Sequence, residues 1–352
     1  MSFGEVSNLE LGERKLKVLK AIVETYVKTG EPVGSKALCD AMDISVSPAT
    51  IRNEMASLVN LGLLEQPHTS SGRIPSHLGY RVYINDIMNP KPMPKEEQLF
   101  IKGILANSAD DPENLLKEAS QVLANITKFT AISTTPSGDA ATVRKLQFVQ
   151  VSRRSAMVVL MTSTGMIKNK IFRCDYDLTT DILRIFSNAL NEKLCGLPLA
   201  QITPAFMQTL AASLGEISML MPSILIAILE ACSESLEAGI RMNGQTNLLF
   251  LPEIGIDNMR DIMEFLNRRN DIARLFSENK GDKVNVLIGH ENSYPELANS
   301  TVIIAKYAIS STESGAIGII GPTRMDYSKI ITSLKYLAST VEQLLGKMLG
   351  DE

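Results

Sequence analysis

Apolar residues recur at three- and four-residue steps at Leu16, Leu19, Ile22, Val23, Tyr26 and Val27, with Lys15, Lys17, Lys20 and Glu24 between them. That period predicts an amphipathic helix, which Gly30 ends. Pro32 opens a short connection to a second helix near residues 35–42, with Ala37, Leu38 and Ala41 as inward positions. Ser47-Pro48 is a hydroxyl N-cap followed by proline at the first helical position, so a third helix should run to about Leu61 and stop at Gly62. On that helix Ile51, Met55, Leu58 and Val59 lie within about 100° of one another and form the buried stripe. Ala49, Asn53, Ala56, Ser57 and Asn60 make the opposite face, flanked by Thr50 and Arg52. Residues 62–75 then read as a short strand, a turn rich in Ser and Gly, and a return strand.

Beyond the hairpin a further helix carries Leu78, Tyr80, Val82, Tyr83, Ile84 and Ile87, and Pro90, Pro92 and Pro94 mark a linker. Residues 96–128 look helical, with Leu99, Ile101, Ile104, Leu105, Leu115, Leu116, Val122, Leu123 and Ile126 as buried candidates. Strands are expected at 146–151, 156–161 and 166–172, helices over 179–238, and a strand at 247–251. Two short helices near 257–277, strands at 284–288, 301–307 and 316–321, and a helix over 327–349 complete the pattern. Two sets of strands around a helical block imply an α+β domain with an inserted subdomain, with boundaries near residues 174 and 282. The apolar run 217–229 contains Pro222 and lies between Glu216 and Glu230, so it is too short for a bilayer and reads as buried helix.

Composition narrows the function classes. At 352 residues the chain should hold two or three domains, and its 45% hydrophobic and 21% charged content argues against disorder. No basic run followed by an apolar segment opens the sequence, so a cytoplasmic location is the expectation. Cys39, Cys174, Cys195 and Cys232 form no C-x-x-C pair, and His68, His77 and His290 are dispersed, so neither a metal nor a cofactor is expected. Net charge is −4, and residues 1–90 hold nine Lys and Arg against ten Asp and Glu. If this region binds DNA, the placement of a few cations must outweigh net charge.

The third helix has a polar face whose one carboxylate is Glu54, which suits a major groove lined with donors and acceptors, although a merely solvated face would look the same. Its position before a hairpin favours DNA, because helix, helix-turn-helix and hairpin is the order of a winged helix. The candidate contacts are Ser47, Ala49, Thr50, Arg52, Asn53 and Ser57 on the helix and Ser70, Ser71 and Arg73 on the wing, where Arg73 could reach phosphate or decorate a turn.

The segment Gln66-Pro67-His68-Thr69-Ser70-Ser71-Gly72-Arg73-Ile74-Pro75-Ser76-His77-Leu78-Gly79-Tyr80-Arg81-Val82-Tyr83 resembles the wing and following helix of the HrcA family. Ile288-Gly289-His290-Glu291-Asn292 and Gly318-Ile319-Ile320-Gly321-Pro322-Thr323-Arg324-Met325-Asp326-Tyr327 resemble its two C-terminal signatures. The resemblance implies a multidomain α+β protein: a winged helix-turn-helix over 1–90, a GAF-like α+β domain over 91–173 plus 283–352, and an inserted, mainly helical dimerisation domain over 174–282. It further implies a homodimer that represses chaperone operons through an inverted-repeat operator in double-stranded DNA, aided by the GroEL chaperonin, with no membrane partner.

Other readings are weaker. Residues 30–37 hint at a phosphate loop, but the spacing is wrong and no hydroxyl follows Lys36; no G-x-S-x-G or H-E-x-x-H occurs, so no catalytic residue is expected. A ligand sensor could use Arg324 as an anion clamp, whereas a structural Arg324 would pair with Asp326 or with another domain. A chaperonin client without an operator is the remaining alternative.

Overall fold

The structure, a computed structural model, describes residues 11–42, 47–67, 72–109, 111–135, 141–236, 239–278, 283–309 and 314–349. Helix α1 (Glu13–Thr29) buries Val18, Leu19, Ile22 and Val23 and ends at Gly30, whose φ of 73° is the left-handed conformation that glycine adopts without strain. Helix α2 (Ser35–Ala41) buries Leu38 and exposes Ala37, an expected inward position. Helix α3 (Pro48–Asn60) buries Ile51, Met55 and Leu58, as its stripe predicts. Strands β1 (Leu64–Glu65) and β2 (Ile74–Pro75) form the expected hairpin, and α4 (His77–Val82) continues into a π-helical turn, Tyr83–Ile87.

The helical stretch expected over 96–128 is two helices, α5 (Lys95–Ala106) and α6 (Pro112–Thr127). Asp111 caps α6, its carboxylate accepting from the Glu113 and Asn114 amides at 3.3 and 3.1 Å, and Pro112 starts the new helix. On α5, Ile101 and Leu105 take the inner face; Leu99 lies about 200° around the helix from Ile101. Leu99 is therefore 70% exposed rather than buried.

The chain then alternates between two sheets. Strand β3 (Thr130–Thr134) opens the first. Strands β4 (Val143–Ser152), β5 (Ser155–Thr162) and β6 (Ile167–Arg173) make a separate antiparallel sheet in the order β4-β5-β6. Helices α7 (Thr180–Leu194), α8 (Pro204–Ser213) and α9 (Pro222–Leu236) follow. The chain returns with β7 (Ile240–Asn243), α10 (Ile256–Asn267), α11 (Arg269–Ser277), β8 (Val284–Ile288), β9 (Ser300–Ala308), β10 (Ser314–Pro322) and α12 (Tyr327–Leu349). The first sheet is five-stranded and wholly antiparallel, in the order β7-β3-β10-β9-β8. Ile303, Ala305, Ile317 and Ile319 share a core with α5, α6 and α12, and Val302, Ile304, Ala316 and Ile320 share one with α10 and α11. Cover on both faces explains why these strands are continuously apolar rather than alternating.

The division between cores differs from the expected boundaries at 174 and 282. Leu146, Ala156, Val158, Leu160 and Phe172 of the second sheet share one core with α7, α8 and α9, so the strands and helices from Ala141 to Leu236 pack as one unit. Strand β7, α10 and α11 belong with the five-stranded sheet. The inserted unit thus carries a three-stranded sheet as well as its helices, which cover one face of that sheet. A strand's alternation reports that one face is buried and leaves its partner open, which is why sequence assigned 143–173 to the wrong sheet.

Two smaller expectations also change. The strand expected at 247–251 is a 3-10 turn, Gln245–Phe250, because Gly244, at φ 75°, ends β7 first; a Cβ there would lie 2.6 Å from the Phe129 carbonyl oxygen. Within the apolar run 217–229, Pro222 begins α9, Met221 is buried, and Met219 and Ile226 face solvent.

Candidate nucleic-acid interface

Helix α3 is started by its own side chains. The Ser47 hydroxyl accepts from the Thr50 amide at 3.2 Å and shares a hydrogen bond with the Thr50 hydroxyl at 2.9 Å, while Pro48 occupies the first turn. With Ile51, Met55 and Leu58 held inside, Ala49, Arg52, Asn53, Ala56 and Asn60 are exposed and Thr50 and Ser57 are half-buried. The six helix residues expected from sequence are thus gathered on one outward surface, and two of them, Ser47 and Thr50, also build the helix start. Ser70 and Ser71 lie outside the described residues.

Two features of this surface could not be read from the sequence. Glu54 turns sideways onto α1, where Lys15 Nζ lies 3.4 Å from its Oε2, and its side chain is only 18% exposed. The one carboxylate of α3 is thereby neutralised and withdrawn from the polar face, which removes a repulsive charge from any approaching phosphate. Lys15 had the appearance of an ordinary solvated residue of α1; only the packing of α1 on α3 gives it this role.

The second feature is the base of the wing. The Arg73 and Val33 backbones exchange N–H to O hydrogen bonds of 2.9 Å, so Val33, between α1 and α2, forms a single antiparallel bridge at the base of the hairpin. This contact accounts for Gly72, where a Cβ would lie 2.5 Å from the Val33 backbone. Arg73 is placed at this base, half-buried, with Nη1 3.5 Å from the Gly72 carbonyl oxygen.

Both C-terminal signature segments lie against the winged helix. Arg81 of α4 makes a bidentate pair with Glu291, its Nε donating to Oε1 at 2.9 Å and its Nη2 to Oε2, and Nη2 also donates to the Val286 carbonyl. Glu291 Oε2 accepts in addition from the Ile288 amide at 2.8 Å. The rings of His77 and His290 are 5.6 Å apart, and those of Tyr80 and Tyr327 are 5.5 Å apart. Burial lowers the His77 pKa from its ordinary 6.5, and the neighbouring His290 adds to the effect against the opposite pull of Glu65 and Glu291. Arg324 donates from Nη1 to the Val27 carbonyl at 3.0 Å and from Nη2 to Glu253 at 3.0 Å. Of the two readings of Arg324, the one that pairs it with another domain describes its contacts.

Among the described residues no cluster of His, Cys, Asp and Glu could hold a metal ion, and no helix is long and apolar enough to cross a membrane. Among them Cys174 and Cys232 are buried thiols.

A family model described as the winged helix-turn-helix transcription repressor, HrcA DNA-binding, matches residues 10–87, and one described as the HrcA protein C terminal domain matches residues 113–331. The heat-inducible transcription repressor HrcA of Acetivibrio thermocellus is 32% identical over 345 residues, covering 97% of this chain and 98% of that protein. Those of Clostridium tetani and Moorella thermoacetica are each 33% identical, over 340 residues (96% of both chains) and 345 residues (97% of this chain, 99% of the relative). A solved structure described as a hypothetical protein at 2.2 Å resolution shares the fold, with a TM-score of 0.67 at 22% identity, over 96% of this chain and 100% of that one. These matches run through both ends of the chain, and the family they identify consists of DNA-binding regulators of transcription rather than enzymes. The chain belongs to the family of heat-inducible transcription repressors HrcA.

Proposed function

We propose that the chain acts in the cytoplasm as a homodimer that represses class I heat-shock chaperone operons of the groESL and dnaK type by binding a CIRCE inverted-repeat operator. The observation that carries this reading is the outward face of α3, polar, properly capped and cleared of its carboxylate by Lys15. Ser47, Ala49, Thr50, Arg52, Asn53 and Ser57 enter the major groove, and Ser70, Ser71 and Arg73 follow the adjacent backbone or minor groove. A two-fold dimer offers two such helices to two symmetry-related half-sites, so the operator's inverted repeat mirrors the protein.

The inserted unit supports the dimer. One face of its sheet packs on the helices, while Val149, Val151, Met157, Val159, Met161, Ile167 and Ile171 point away from them; Val151 and Ile171 are 56% and 67% exposed. A largely apolar exposed face of this kind, interrupted by Gln147 and Asn169 on either side of Val159, is the mark of an interaction surface. Heat enters through folding: a repressor of marginal stability competes with unfolded clients for the GroEL chaperonin, and stress lowers its active fraction.

The test is a salt titration of binding to an inverted-repeat duplex and to a scrambled duplex of equal length, with and without the chaperonin. Tighter binding to the repeat that persists as salt rises is the expected outcome. Equal, salt-sensitive binding to both duplexes under both conditions would remove the sequence-specific reading.

A further inference from the structure

Domains joined by a linker such as residues 88–94 ordinarily move relative to one another unless the surface between them is large and apolar or otherwise fixed. Here the joint is fixed in three ways. Val18, Leu19, Tyr80 and Tyr83 of the winged helix belong to the same continuous core as Val286, Ile288 and Tyr327 of the α+β domain. The linker itself is tied down, since the Lys91 amide donates to the Ser328 hydroxyl at 3.2 Å. The third element is polar and directional: the pair between Arg81 and Glu291, and the Arg324 guanidinium on the last turn of α1.

Each polar contact fixes an angle as well as a distance. A bidentate guanidinium–carboxylate pair holds both groups in one plane, and both side chains here are only 14% exposed, so water does not compete freely for them. Arg324 satisfies a carbonyl at the C-terminus of α1, where the helix leaves acceptors unpaired and favours positive charge. Gly30, which ends α1, leaves room for it: a Cβ there would come within 3.3 Å of the guanidinium carbon. Gly289 gives the corresponding room on the other side, since a Cβ on it would fall 2.2 Å from the His77 ring. An apolar contact alone would permit sliding, whereas these groups have one arrangement in which all are satisfied.

We infer that Arg81, Glu291 and Arg324 are positioning residues that lock the winged helix at one angle on the α+β domain and so set the half-site spacing the dimer accepts. The inference rests on the operator reading above. Because each half-site turns around the duplex with distance, a dimer with rigidly held α3 helices engages both half-sites at only one spacing. Release of the lock lets each winged helix follow its half-site, so spacing discrimination falls while the contacts made to a single half-site are kept.

The experiment compares the full chain with the double variant R81M/E291L, which removes both charges together and leaves no unpaired ion, on inverted repeats whose spacer is varied base pair by base pair. The parent should prefer one spacing by on the order of a hundredfold, the avidity lost when the second half-site cannot be reached. In the double variant the preference should shrink to about threefold, with single half-site affinity held within about twofold. A double variant that keeps the full preference would overturn the lock. Should that variant fail to fold, R324M removes the contact to α1 together with the Glu253 pair and must narrow the preference on its own.

If the parent binds no duplex at all, the operator reading has failed, and hydrogen exchange decides the lock separately. Amides of α1 and α4 should then exchange faster in the folded variant than in the parent, while those of β9 and β10 stay unchanged. Equal protection in both proteins would overturn the inference.

Discussion

The outward face of α3 and the outward face of the β4-β5-β6 sheet are both turned to solvent, and their chemistry is opposite. The first offers Arg52, Asn53 and Asn60 with small residues between them; the second offers Val149, Val151, Ile167 and Ile171. A polar, low-relief helix face keeps its hydration until it meets groups that replace water one for one, as base edges and phosphates do. An apolar sheet face gains by excluding water altogether, which another protein surface does and a nucleic acid does not. On the proposed reading the same fold therefore presents two recognition surfaces that do not compete for one partner. The shared core and polar pairs described above join the winged helix to the domain of the five-stranded sheet.

The comparison breaks most sharply through a charge. Asp in place of Val159, at the centre of the open sheet face, should leave the melting temperature nearly unchanged and turn the dimer into monomer in sedimentation. Placing the charge at Ile304, buried on a strand covered on both faces, should unfold the protein. Even Ile304→Ala should cost about 2–5 kcal/mol in denaturant unfolding, against under ~0.5 kcal/mol for an ordinary surface change. If Val159→Asp unfolds the chain as Ile304→Asp does, the open face is part of a core and the dimer reading loses its support.

On the polar face the effects are smaller. Asn53→Ala should weaken operator binding by about 1–3 kcal/mol with relaxed specificity at one base pair, measured by competition against single-base operator variants. Uniform weakening across all variants would instead assign Asn53 to the phosphates. Ser47→Ala should lower stability by about 1 kcal/mol through loss of the α3 cap, and its operator affinity should fall with it. Lys15→Ala leaves the Glu54 carboxylate uncovered and should cost up to about 1 kcal/mol of operator affinity, roughly fivefold, which Glu54→Gln in the same chain should restore. No restoration would mean that Lys15 acts on DNA directly.

These residues also show where the sequence was legible. The three N-terminal helices, the stop at Gly30 and the Ser47-Pro48 start follow from local rules of period and capping, and the α+β class with an insertion follows from the order of strands and helices. Lys15 over Glu54 and Val33 beside Arg73 are contacts between elements, and a single residue between two helices carries no period at all. The inserted unit was misplaced for the same reason: β5 alternates as a half-buried strand should, but alternation does not say which helices cover it. The two C-terminal signatures were visible as a resemblance, with roles left open; only the packing of α4 against residues 284–291 and of α1 against Arg324 reveals what they touch.

The smallest expected effect concerns the joint between the winged helix and the domain of the five-stranded sheet. His77 begins α4 with its ring facing His290, and half-burial together with that neighbour holds its pKa below the ordinary 6.5, against the pull of Glu65 and Glu291. Since the folded value is the lower one, the unfolded chain binds the proton first as pH falls. The stability contributed by neutral His77 is therefore complete well above 6.5 and is lost as pH drops through 6.5 toward the folded value. Melting temperatures followed from about pH 8 to about pH 5.5 should fall more steeply for the parent than for His77→Gln, which cannot titrate. Parallel profiles would show that the imidazole stays solvated enough to protonate without penalty. The joint would then be held by Arg81, Glu291, Arg324 and the apolar core around Tyr80, with no contribution from the histidine pair.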